Sequence, residues 1–310
     1  KGIRHDSKNG RVRLSKGRNH KEYPRAREYI LVEYETRPGV EVDNLQQVRA
    51  VYDQSKERWE LHLVCKDEIE TPTAPGNETA GIDLGICNFA TVAYSTEDAG
   101  LYPGNRLKQD GYYFPKEIAQ CDNSGGDEAT RLHAKWSERR THFFHGLAKH
   151  IVQRCVEKQV GHINVGDLEG VREDEDGGSK DWGNHGNLDL HGWAFDRFKD
   201  ILEYKAKVEG IEVVEVSERD TSKTCSVCGR KDEGQRVERG LYVCEECDMT
   251  FNADVNGAEN IRLDINQSNS ESAPNLGIDR STGWLAQPGV YLHNLSRGFQ
   301  PRTEVVDCKP

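Results

Sequence analysis

The sequence predicts a mixed α/β fold, and three observations carry that reading. Short apolar runs recur as strands, among them Gly81-Ile-Asp-Leu-Gly-Ile, Ala90-Thr-Val-Ala-Tyr and His162-Ile-Asn-Val. Between Arg131 and Val160, the apolar residues Leu132, Trp136, Phe143, Leu147, Ile151 and Cys155 recur at four- and seven-residue steps, which is one face of a long helix. Strand and helix patterns then alternate along the chain, as they do where helices cover a sheet.

Taken in order, Tyr29-Ile-Leu-Val-Glu-Tyr and Trp59-Glu-Leu-His-Leu-Val read as strands separated by the turn-prone Arg37-Pro-Gly. The polar, Pro-containing stretch 67–79 reads as a linker. Gly81–Ile86 and Ala90–Tyr94 form two strands around a turn at Gly85, and the long helix and the strand at His162 follow. An acidic, Gly-rich loop, bordered by His185 and His191, occupies 170–187 and is expected to act as a lid over a site. Residues 192–208 suit a helix ending at Gly210, and Ile211-Glu-Val-Val-Glu-Val-Ser a further strand. Ala253–Leu263 suits a short helix, and the Ser/Asn/Gly-rich stretch 265–310 is expected to be a loosely ordered tail.

The chain has 310 residues, enough for two average domains. Its only methionine is Met249, so it reads as the C-terminal part of a longer protein. No run approaches the ~20 apolar residues of a membrane-spanning helix, and no signal peptide is visible, so no membrane partner is expected. The formal net charge is −11, from 53 acids against 42 bases. Taken alone, it argues against a nucleic-acid binder. The distribution argues otherwise, because residues 1–30 hold ten bases against three acids, and 131–158 seven against two. Acids gather at Glu173-Asp-Glu-Asp176, which fits a salt-adapted surface. His133, His142, His145 and His150 crowd the long helix without a ligand pattern.

Of nine cysteines, five are scattered and four form two close pairs, which suits a reducing, cytoplasmic setting. Cys225-Ser-Val-Cys228 and Cys244-Glu-Glu-Cys247 are C-x-x-C turns separated by fifteen residues. Two such turns facing each other supply four thiolates in a tetrahedron, the preferred set for a structural zinc ion, with no position left for chemistry.

Asp83 stands inside an apolar strand, where a carboxylate is costly unless a metal or a partner compensates it. Asp254 opens the short helix after the second cysteine pair. The bland alternatives, taken residue by residue, are a structural carboxylate at Asp83 and a helix N-cap at Asp254. Together they suit a nuclease in which carboxylates from distant segments hold two Mg²⁺ ions.

The order Gly-Ile-Asp83-Leu-Gly-Ile, Val-Gly-Asp167-Leu, Thr-Ser-Lys-Thr-Cys225-Ser-Val-Cys-Gly, Cys244-Glu-Glu-Cys and Asn-Ala-Asp254-Val-Asn-Gly-Ala-Glu-Asn-Ile resembles the TnpB family over roughly residues 25–265. These are RNA-guided DNA endonucleases of insertion sequences, long called transposases. The tail, including Gly283-Trp-Leu-Ala-Gln-Pro-Gly, resembles haloarchaeal members. The resemblance implies the end of an oligonucleotide-binding-like wedge β-barrel at 1–75 and a RuvC-like, RNase H fold nuclease core at 80–220. It further implies a zinc ribbon at 221–250 and the last nuclease segment at 251–264. Guide RNA from the element end, double-stranded target DNA and the element's own transposase are the implied partners. Guide pairing would read sequence while the bases of 1–30 and of the long helix grip phosphates.

In one place the chain departs from the family. Where members carry a glutamate in the strand after the long helix, this chain has Gly166. Asp167 is adjacent, but strand alternation turns it to the other face. Either the domain is nuclease-dead and binds without cutting, or a carboxylate from elsewhere has taken the place. Glu218 is that candidate, because in an RNase H sheet its strand ends beside the one bearing Gly166. The active reading therefore places Mg²⁺ on Asp83, Glu218 and Asp254, with water as the nucleophile and a 5′-phosphate as product.

Overall fold

The computed structural model describes residues 2–15, 29–36, 38–53, 57–66, 70–121, 126–167, 195–238, 240–266 and 283–302. The chain divides into two units, Lys1–Glu70 and Thr71–Pro310. The first unit holds an antiparallel sheet of β1 (Ile3–Asp6), β2 (Arg11–Ser15) and β3 (Tyr29–Glu33), and a hairpin of β4 (Leu45–Asp53) and β5 (Arg58–Cys65). Both expected strands, at Tyr29 and Trp59, lie in it.

The second unit is built on one sheet. It opens with an antiparallel meander of β6 (Glu78–Leu84), β7 (Asn88–Tyr94) and β8 (Asp98–Pro103). Helices α1 (Asn105–Ala119) and α2 (Asp127–Glu157) follow, and the chain returns as β9 (Val160–Asp167), parallel to β6. Helix α3 (Phe195–Val208) leads to β10 (Glu212–Ser217), parallel to β9. The predicted helix at 131–160 and the strand at His162 are thus both present, each slightly longer than its apolar pattern.

The core lies between this sheet and α2 and α3. Phe89 of β7 sits 5.2–5.7 Å, ring to ring, from Phe143, Phe144, Phe195 and Phe198, all buried. Aromatic clustering of this kind adds to the large apolar area that each ring removes from water. Other predicted helix-face residues, Leu147, Ile151 and Cys155, are buried in the same cluster.

Beyond β10 the chain forms a small antiparallel sheet of β11 (Arg236–Glu238), β12 (Leu241–Cys244) and β13 (Met249–Asn252), then helix α4 (Ala253–Leu263). The approach of α4 to the central sheet is unusually close. A Cβ on Gly81 of β6 would stand 2.6 Å from Cβ of Arg262, so only glycine permits the contact. Asn164 of β9 donates to the carbonyls of Ile261 and Arg262 at 3.2 and 3.0 Å, satisfying the C-terminal end of α4. The Arg262 guanidinium pairs bidentately with Glu259, at 2.7 Å for each bond, and also donates to Thr79 of β6.

The expectation of a loosely ordered tail from 265 onward is corrected for part of that stretch. Helix α5 (Gly283–Ala286) and strands β14 (Gly289–Asn294) and β15 (Gly298–Pro301) are ordered, and β14 pairs in parallel with β8. The central sheet therefore runs β10-β9-β6-β7-β8-β14-β15. Tyr291 stacks on Tyr102 at 5.3 Å, and buried Phe299 packs against Phe143, so aromatic anchoring outweighs a polar composition. The expected lid, with His185, His191 and the run 173–176, lies outside the described residues, as does 267–282. No helix among the described residues is long and apolar enough to cross a membrane.

Candidate functional site

Cys225, Cys228, Cys244 and Cys247 converge as the spacing predicts, with all four sulfurs within 4.8 Å of one another. The Cys225–Cys247 and Cys228–Cys244 sulfur pairs stand 3.9 and 3.6 Å apart. A zinc ion bound tetrahedrally at ~2.3 Å needs sulfurs about 3.8 Å apart, so the quartet fits zinc. The positive φ of +76° at Gly229 lets the first turn close.

The knuckles are tied to α4 by two buried asparagines. Asn256 accepts from the Ser226 amide at 2.9 Å and donates to the Thr224 carbonyl at 2.8 Å. Asn260 donates to the carbonyls of Thr221 and Thr224, both at 2.7 Å. Helix α4 is capped by Asn252, whose side chain accepts from the amides of Asp254 and Val255 at 3.1 Å. Asp254 is therefore not the N-cap.

Asp254 lines a cavity of about 1010 Å³ at the carboxyl ends of β6 and β9, together with Asp83, Asp167, Glu218, Asn88 and Arg236 among others. The three sequence-predicted acids thus share one cavity. Asp83 lies beneath α4 at Gly257, where a Cβ would stand 2.8 Å from its Oδ2. Burial first, and Asp254 second, push the Asp83 carboxyl up to about 7, opposed by Arg236.

Glu218 follows the end of β10, whose Val216 is in register with Gly166 of β9. Its side chain folds back over Gly166: a Cβ there would stand 2.6 Å from both Cγ and Cδ of Glu218. Burial, then Asp83, then Asp167 raise Glu218 to about 9, while Lys199 acts in the opposite sense. Its Oε1 is buried with no hydrogen-bond partner. A buried carboxylate oxygen left in this state is costly, and either a proton or a hard cation relieves it.

Asp254 is held from both sides. Asn88 donates to its Oδ2 at 2.9 Å and Arg236 to its Oδ1 at 3.1 Å. Among the described residues, only the cysteine quartet brings three or more ligating atoms within 4.8 Å of one another, so the carboxylates share the cavity at wider spacing.

Three lining residues were not anticipated. Asn88 and Arg236 carry no metal-ligand signature; the available signals were a polar residue just past the Gly85 turn and a base inside the ribbon. Asp167, the last residue of β9, also borders the cavity, although alternation assigned it to the opposite face.

The basic residues divide. In α2, Arg139 pairs with Asp110 at 2.7 Å, and Arg154 and Lys158 both pair with Asp98, at 2.5 and 2.6 Å. Three of the seven bases expected to face nucleic acid therefore hold the fold together. Arg140 and His145, by contrast, face Arg197 of α3, and His145 also Lys205; burial and these cations hold both groups below their ordinary values. Of the basic stretch at the amino terminus, residues 16–28 lie outside the described residues.

Comparison with known proteins agrees with this layout. A family model described as "Probable transposase" (OrfB_IS605) matches residues 62–172, and the Cas12f1-like TNB domain model matches 195–261. The TnpB-like protein ORF457 of Acidianus two-tailed virus is 28% identical over 68% of this chain and 51% of that protein. The CRISPR-associated endodeoxyribonuclease Cas12f1 of Sulfoacidibacillus thermotolerans is 25% identical over 69% of this chain and 52% of its own length. A cryo-EM structure of a Cas12f1–sgRNA–target DNA complex aligns with a TM-score of 0.49 and 24% identity, covering 66% of this chain and 53% of that one. The chain thus spans about half the length of the curated relatives it matches. The two family models follow one another along the chain, and with these relatives they support its kinship with the TnpB and Cas12f1 proteins.

Proposed function

We propose that the chain carries the RuvC-like, RNase H fold nuclease core and zinc ribbon of an RNA-guided DNA endonuclease of an insertion sequence. The sheet order supports this: an antiparallel meander flanked by two successive parallel strands, β9 and β10, with acids at their carboxyl ends. The observation that carries the proposal is Glu218 filling the space above Gly166, in one cavity with Asp83 and Asp254.

In this reading Asp83, Glu218 and Asp254 hold Mg²⁺. Bound there, Mg²⁺ supplies an activated water and stabilises the charge on the leaving oxygen. The chain's own contribution is placement. Strand β6 fixes Asp83, the Asn252 cap and the close seat of α4 fix Asp254, and the turn after β10 fixes Glu218, whose carbonyl accepts from the Thr221 amide at 3.1 Å and hydroxyl at 2.8 Å. The ribbon would hold Zn²⁺ on its four cysteines. Guide RNA, double-stranded target DNA and the element's transposase are the proposed partners, with residues 1–75 as part of a wedge barrel.

The second reading, a nuclease-dead RNA-guided DNA-binding protein, draws on the wide spacing of the carboxylates and on Gly166 itself. One experiment separates the two. The protein is purified with the RNA that accompanies it, the RNA is sequenced, and a plasmid bearing the matching target is incubated with Mg²⁺ at high salt. Linear product lost in Asp83→Ala and in Glu218→Ala supports the nuclease. Parent-rate cutting by Glu218→Ala removes Glu218 from the centre, and cutting gained only with Gly166→Glu establishes the dead reading.

A further inference from the structure

Asp254 accepts one hydrogen bond at each carboxylate oxygen, and its two donors differ in kind. Arg236 is a cation on β11 of the ribbon, and Asn88 is a neutral amide at the start of β7. A cation at Oδ1 competes with any metal for the same charge. A neutral amide at Oδ2 does not, because it engages one lone pair and leaves the negative charge in place.

The backbone explains how Asn88 reaches this position. The β6–β7 turn closes with the Gly85 amide donating to the Phe89 carbonyl at 3.3 Å. The pairing of β7 with β8 then slips between Asn88, opposite Pro103, and Ala90, opposite Tyr102. Such bulges re-aim a side chain, and this one lets the amide meet a residue 166 positions further along. The bond also ties together the two segments that bring Asp83 and Asp254 into the cavity.

We infer that Asn88 is a positioning residue for the metal centre: its amide holds the Asp254 carboxylate in place when Arg236 gives up Oδ1. The inference rests on the reading of Asp83, Glu218 and Asp254 as metal ligands. Without the amide, the carboxylate is free to turn and meet the Arg236 guanidinium with both oxygens, which withdraws it from a cation. Removing an outer partner of a ligating carboxylate typically costs 10–100-fold in metal affinity.

The test is Mn²⁺ binding to the zinc-loaded chain, followed by electron paramagnetic resonance and isothermal titration. Asn88→Ala removes the amide, Asn88→Leu removes it at nearly constant volume, and Asn88→Gln retains a donor. The expected result is a loss of about 10–100-fold in Mn²⁺ affinity for Ala and Leu. Gln should stay nearer the parent, and adding Arg236→Gln to Asn88→Ala should recover part of the loss. Parent-like affinity in a folded Ala or Leu variant overturns the inference. So does loss of zinc and of cooperative melting in both, which would make the bond a folding contact. If the parent shows no Mn²⁺ site sensitive to Asp83→Ala, the metal-centre reading itself has failed, and that outcome is distinct from the other two.

Discussion

The Glu218 side chain occupies the volume that any side chain on Gly166 would need, with its Cγ and Cδ each 2.6 Å from the position of a Cβ there. The two positions are therefore mutually exclusive: one carboxylate serves this point, from β9 or from the end of β10. Gly166→Ala should displace Glu218 and lower plasmid cleavage about 100-fold, the cost of an ångström-scale misplacement. Gly166→Glu combined with Glu218→Ala should recover a measurable part of the activity that Glu218→Ala alone removes. Single-turnover cleavage rates check both.

Stability without Mg²⁺ should fall as pH rises. Asp83 titrates near 7 and Glu218 near 9 in the folded chain, against 3.8 and 4.5 for the unconstrained groups. Between about pH 4 and 9 the folded state therefore holds protons that the unfolded state has released, and each proton lost on the way up weakens the fold. Glu218→Gln should raise the melting temperature of the zinc-loaded chain in Mg²⁺-free buffer at pH 8 by at least ~2 °C, the shift expected of about 1 kcal/mol in a chain of this size. Adding Mg²⁺ should narrow the gap between variant and parent. Thermal melts from pH 5 to 9 decide it.

The asparagine bridges from α4 to the knuckles should make the ribbon and the helix melt together. Asn260→Ala leaves the buried Thr221 carbonyl without its side-chain donor and takes one of two donors from the Thr224 carbonyl, a cost of roughly 2 kcal/mol. That corresponds to a fall of about 4–8 °C in melting temperature. Cys225→Ser should release one zinc per chain, measured by atomic absorption, and increase amide hydrogen exchange in 253–263.

The cations that α2 and α3 present to one another should matter for nucleic acid. Arg197 and Lys205 depress the titration of His145, and Arg197 that of Arg140, so an anion placed among them relieves a standing repulsion. Replacing Arg197 or Lys205 with Ala should lower the slope of log affinity against log salt by about one each. Arg154→Ala should instead lower the melting temperature, because that side chain pairs with Asp98.

Strong periodicity made α2 and its buried face legible, and the short apolar runs gave β6, β7, β9 and β10. Helix α1 was hidden by Gly111 and by Pro115 inside it, residues that ordinarily argue against a helix interior. Strand β8 is short and rich in small residues, and β14 and β15 follow a polar stretch whose composition dominates any local reading. In the cavity, acids in costly surroundings announced themselves, since a carboxylate in an apolar strand demands explanation. Asn88 and Arg236 did not, because a hydrogen-bond donor acquires its meaning only from the acceptor that folding brings to it. Asp254 shows the reverse case: in sequence it competed with a cap role, which Asn252, two residues earlier, fills.

The grip of Asn256 and Asn260 on the first knuckle has a consequence for how such a protein comes into service. The helix that delivers Asp254 is seated partly by a loop that carries two of the four clustered thiols and that a bound zinc ion would brace. In the reading proposed above, a freshly translated chain that has not yet acquired zinc holds its last acid out of place and leaves the host chromosome uncut. Supply of one inert ion would then govern when the reactive ones can act, a safeguard set by maturation rather than by any inhibitor.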